Sequence, residues 1–107
     1  MGIFGGGEYN DVLTDSYVAN YISVTDSLAI EAKVGSSILE GREILMLYNK
    51  GPNTVWFGPL GLTVGSTGNG VPLFIHETIM VPVGQNISVF LLCNTGHSAT
   101  VVVQELA

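Results

Sequence analysis

Two histidines, one cysteine and nine carboxylates are the groups from which this 107-residue chain could build a reactive centre. His76 and His97 stand in different segments, and His76-Glu77 is the only adjacent pair involving either of them. A zinc or iron site on a β scaffold gathers several histidines and carboxylates, so the pair reads as part of a solvated turn. Cys93 ends the apolar run 87–93 and has no second thiol for a disulfide or a metal, which makes it a small buried hydrophobe. No Gly-x-Ser-x-Gly elbow is present to activate a serine. Glu40 and Glu43 flank Gly41-Arg42 and read as the polar start of a strand rather than an acid–base pair. The GSTGNG stretch at 65–70 lacks the Lys-Ser/Thr and the following helix of a phosphate loop, and reads as a mobile hairpin tip. Trp56 could stack on a sugar or peptide, but a lone tryptophan in a strand reads as core. The expectation is a protein that is not an enzyme, with no catalytic residues, no metal and no cofactor.

Charge says which partners are excluded. Only 11% of the residues are charged, and the net charge is −6. Residues 1–32 carry Glu8, Asp11, Asp15, Asp26 and Glu31 with no lysine or arginine, a charge of −5. The rest sets Glu40, Glu43, Glu77 and Glu105 against Lys33, Arg42 and Lys50, a charge of −1. A phosphate backbone meets no continuous positive surface here, so nucleic acid is not an expected partner. No apolar stretch reaches bilayer length, and residues 1–7 lack the basic and apolar regions of a secretory signal. The expectation is therefore no membrane partner, and assembly in a cytoplasm.

The elements follow from spacing. Residues 1–16 read as a flexible Gly-rich arm, with Gly2, Gly5, Gly6 and Gly7 ahead of a polar run. Residues 17–107 read as one β-sandwich domain of seven to nine short strands separated by Gly, Pro, Asn or Asp. Strands are expected over 17–24, 28–33, 43–49, 54–57, 60–64, 78–83, 86–93 and 99–105. Of these, 28–33 shows the clearest one-sided alternation. Residues 50–53, 84–85 and 94–98 have the chemistry of tight antiparallel returns. The fold class is all-β: a single antiparallel β-sandwich, jelly-roll-like, with an extended N-terminal arm. Residues 44–48, 87–93 and 101–103 are apolar on both faces, whereas an isolated two-layer sandwich leaves its outer face polar. Covering that second face requires the arm, a third layer or another subunit, and a homo-oligomer is expected. The candidate interaction residues are Ile3, Phe4 and Tyr9 on the arm, Tyr17 where the strands begin, and Phe90 and Leu92 on a two-faced strand.

The stretch LEGREILMLYNKGPNTVWFG at 39–58 resembles the small β-sandwich virion structural proteins of tailed bacteriophages. In that family a Leu-x-Gly-Arg start leads into a hydrophobic strand ending in Asn, followed by a Gly-x-Asn turn and a Val-aromatic-x-Gly strand. Gly70-Val71-Pro72-Leu73 and the strands expected over 78–83 and 99–105 are similar to the rest of the pattern. The chain departs from it at Phe74-Ile75-His76-Glu77, where the family often has Pro-Gly-Glu and only Glu77 is kept. Elementary chemistry accounts for several positions. Arg42 can pair with a neighbouring carboxylate, Asn49 and Asn53 can bond their own turn, and Gly51 and Gly58 permit positive φ. The resemblance implies a capsid decoration, or cement, protein on the virion surface. Its partner would be the major capsid protein, with trimers at local three-fold points the expected arrangement. Two alternatives remain open: a tail, connector or head-fibre component, separated by copy number, or a small carbohydrate-binding module, separated by the response of Trp56 fluorescence to saccharides. Under the decoration reading, an arm of 16 residues reaches about 50 Å when extended. Deleting residues 1–16 is expected to leave a folded sandwich that no longer attaches to the shell, measured by co-sedimentation with particles.

Overall fold

The computed structural model describes residues 16–107. Eight strands form two four-stranded antiparallel sheets, and no helix occurs among the described residues. The strands are β1 (Tyr17–Val24), β2 (Ile30–Glu31), β3 (Ile44–Pro52), β4 (Val55–Gly58), β5 (Val71–Leu73), β6 (Thr78–Val81), β7 (Phe90–Cys93) and β8 (Ala99–Leu106). Sheet I has the order β1-β8-β3-β6 and sheet II the order β2-β7-β4-β5. The expected all-β sandwich is what the chain forms; residues 1–15 of the expected arm lie outside the described residues.

Period-two alternation builds the core directly. On β3, Leu45, Leu47 and Asn49 are buried, and on β8 Ala99, Val101, Val103 and Glu105 are buried. Val55, Leu73, Leu91 and Cys93 meet them from sheet II. Burial pushes the Cys93 thiol above its ordinary range, and the Asp26 charge adds to the shift, as suits an inert core residue.

The turns depart from the expected pattern. The connections at 53–54, 82–89 and 94–98 each carry the chain from one sheet to the other, so none is a hairpin return. Among the described residues the only consecutive strands that pair are β4 and β5, and the long connection 59–70 joins them. Turn chemistry makes the chain reverse, but it does not say whether the reversal closes a ladder or crosses the core. At the first crossing β3 runs on past a register shift between Asn49 and Gly51, through a cis Gly51–Pro52 bond. Gly51 has a φ of 90°, and a Cβ there would stand 3.2 Å from Ile75. Gly58 has no positive φ; its constraint is Leu62, whose Cδ1 lies 3.0 Å from where a Cβ would be.

Three further expectations need correction. The 28–33 strand shrinks to Ile30–Glu31: Leu28 lies exposed ahead of it, and after Glu31 the segment turns toward Glu105, which accepts the Val34 N–H. Residues 60–64 form no strand, and Val71–Leu73 does instead. The GSTGNG loop is hydrogen-bonded shut: Asn69 Oδ1 accepts from the Thr63 backbone N–H at 2.8 Å, and Thr63 Oγ1 accepts from the Asn69 N–H at 2.9 Å.

Two buried polar hubs hold what the ladders do not. Asn49, fully buried, donates through Nδ2 to the carbonyls of Asn53 and Leu73 at 2.8 and 2.9 Å, and accepts the Gly51 N–H at 2.7 Å. Arg42 and Glu105 form a buried ion pair at 2.8 Å. The guanidinium also donates to the carbonyls of Ala32, Val83, Gly84 and Ile87, while the carboxylate accepts the N–H groups of Val34 and Leu39. Glu105→Ala strands a buried cation and is expected to cost about 3–5 kcal/mol in urea unfolding. The double variant Arg42→Met/Glu105→Leu is expected to recover part of that loss and not all of it, since four carbonyls lose their donor.

Candidate docking surface

With alternate residues turned inward, the others form three cross-strand rows on the outer face of sheet I, and Ser23, Thr100 and the exposed Lys50 lie beyond the third. Tyr17, Leu106 and Ile44 make the first. Ala19, Gln104, Met46 and Met80 make the second, and Tyr21, Val102, Tyr48 and Thr78 the third. None of these eleven residues is charged. Tyr17, Tyr21 and Met80 are exposed at 64%, 65% and 59%. Burying one large apolar side chain is worth about 1.5–3 kcal/mol, so a face of this kind left in water is a standing drive toward association.

The face has relief and some polar direction. Met46, Tyr48, Thr78, Val102 and Gln104 line a depression of about 270 Å³. The Tyr17 hydroxyl donates to Gln104 Oε1 at 3.0 Å across β1 and β8. The Tyr48 ring stacks against His76, with centroids 6.4 Å apart and planes at 15°. His76 has a φ of 68° in a turn where Glu77 Oε1 accepts the Phe74 N–H at 2.7 Å. His76 thus takes a glycine-like conformation, and Glu77 closes the turn.

The sequence-derived candidates are divided by the structure. Tyr17 lies on the apolar face of sheet I. Phe90 and Leu92 lie on the outer face of sheet II, half-buried, with Leu92 directly opposite Trp56 and Phe90 opposite Glu31. Ile3, Phe4 and Tyr9 lie outside the described residues. Residue-by-residue reasoning missed Tyr21, Met46, Met80 and Val102. The available signal was the two-faced run at 44–48 facing that at 101–103, legible as a surface once both strands join one sheet.

Groups capable of chemistry remain apart. Among the described residues no three His, Cys, Asp or Glu side chains are placed to hold a metal ion. Glu31 is held below the usual carboxylate range, first by a hydrogen bond from Ser88 and then by Lys33, whose Nζ lies 3.1 Å away. Trp56 is half-buried with its indole Nε1 enclosed and unpartnered among the described residues.

No protein-family model matches the sequence, and no curated protein matches it. Among solved structures, the chain is similar to protein NMB1881 from Neisseria meningitidis. The two are 11% identical over 90% of this chain and 80% of that one, with a TM-score of 0.53. At that identity the likeness shows a shared fold and nothing of activity.

A charge on either outer face separates the roles of the two sheets. Met80→Lys, on the β6 side of sheet I, is expected to change unfolding free energy by no more than about 0.5 kcal/mol. Leu92→Lys, which buries part of its stem against Trp56, is expected to cost about 1–3 kcal/mol. Urea unfolding followed by Trp56 fluorescence measures both.

Proposed function

We propose that this chain is a non-enzymatic structural subunit that covers a larger protein assembly, docking through the outer face of sheet I. The observation that carries this reading is the uncharged three-row face, with Tyr17, Tyr21 and Met80 open to solvent. An isolated sandwich gains nothing from such a face, whereas a subunit placed against an apolar partner buries it. The resemblance of residues 39–58 to virion proteins of tailed phages supplies the partner: the major capsid protein, with this chain as a decoration protein on the capsid surface. The acidic balance of residues 1–32 suits a partner that carries basic groups. In this role the work is additive. Each copy contributes a modest apolar contact, and the symmetry of the shell repeats it.

The test is the copy number of this chain relative to the major capsid protein in purified particles, by quantitative mass spectrometry. A ratio near one, or a simple fraction such as one-third, is expected. A ratio of a few per cent moves the protein to the tail, connector or a fibre, and absence from particles overturns the virion reading.

A further inference from the structure

Sheet edges invite other strands, and among the described residues three of the four edges are blunted. β2 has two residues, β5 has three with Pro72 at its centre, and β6 has four followed at once by Pro82. β1 differs. It has eight residues without proline, pairs with β8 in unbroken register, and contains no charged side chain. Ser16 and Ala107 exchange both backbone hydrogen bonds, at 3.3 and 2.9 Å. The alternation of an antiparallel ladder then turns the N–H and C=O groups of Val18, Asn20, Ile22 and Val24 toward β8. Those of Tyr17, Ala19, Tyr21 and Ser23 point away from the sheet. The Tyr21 N–H is met at 2.8 Å by Asn20 Oδ1, a local stand-in for a missing strand.

We propose that β1 pairs antiparallel with β1 of a second copy, about a two-fold axis at Asn20. In that register Tyr17 lies opposite Ser23 and Ala19 opposite Tyr21 of the other copy, so every outward-facing residue finds a backbone partner. A second copy is favoured over a foreign strand by three observations. The strand is its own complement in this register. Its lack of charge brings no like charges together. And the side chains of Ala19 and Tyr21 continue the apolar rows of sheet I across the axis. A strand edge by itself buries less than the roughly 800 Å² per copy of a standard interface. Leu28, 78% exposed, and Ile30 border a groove beside Ile22 on this same side and supply further apolar area. The two sheets I then become one eight-stranded sheet, within the ordinary range. The pair does not depend on the shell reading, and it is a different arrangement from the trimer the resemblance implies.

Native mass spectrometry and sedimentation equilibrium of the full chain test it. The wild type is expected to be a dimer. Asn20→Lys sets two cations face to face at the axis and is expected to weaken dimerisation at least tenfold, with an unchanged β-type circular dichroism spectrum. Asn20→Glu does the same alone, and an equimolar mixture of the two is expected to restore dimers as heterodimers. Ala19→Pro removes an outward N–H without touching the β8 ladder and is expected to give monomers. A wild type that is monomeric or trimeric overturns the proposal, as do variants at both Asn20 and Ala19 that remain dimeric.

Discussion

The buried pairing of Arg42 with Glu105 is the constraint on which the rest of this sandwich depends. Two opposite charges, 2% and 1% exposed, lie 2.8 Å apart with their remaining hydrogen-bonding capacity directed at backbone. Desolvating two ions is costly, and their mutual attraction offsets that cost only when further hydrogen bonds complete both groups. Here those bonds reach residues 32–39 and 83–87, two connections that form no strand of their own. One ion pair thus fixes the start of β3, the end of β8 and both neighbouring connections.

Asn49 performs the same service where β3 leaves sheet I. Its side chain satisfies the carbonyls of Asn53 and Leu73, and its backbone carbonyl accepts the His76 N–H at 2.7 Å. The crossing to sheet II and the turn leading into β6 are therefore tied to one residue. With both ends of β3 anchored to buried polar groups, its register against β8 and β6 is fixed. The identity of the outward side chains is fixed with it, because a slip of one residue would exchange the faces. The uncharged rows of sheet I follow from these anchors.

Much of this was legible in the residues. The hydrophobic runs at 43–49 and 99–105 marked two strands, and Arg42, Asn49 and Gly51 were marked by their chemistry; because both runs are apolar on both faces, neither their inward faces nor their central place could be read from them. Strand 28–33 failed for a physical reason. Its alternation was real, but Ala32 and Val34 are drawn to the ion-pair network, and two residues of ladder remain. The returns at 50–53, 84–85 and 94–98 failed because turn residues encode a reversal and not its destination. The docking surface was half visible: doubly apolar strands implied a face to be covered, but sheet I and sheet II share them unequally.

The sequence by itself determined that this chain is all-β, roughly where most of its strands lie, and that too little charge remains to cover the outside. Those properties follow from local alternation and composition, which act within a few residues. Only the tertiary structure decided which sheet each strand joins, that Glu105 rather than Glu40 or Glu43 is the partner of Arg42, and that Tyr17, Tyr21, Met46 and Val102 share one face. Alternation gives every strand two faces but no neighbours. Neighbours are chosen by burial and by the need to pair charges and backbone groups from distant parts of the chain.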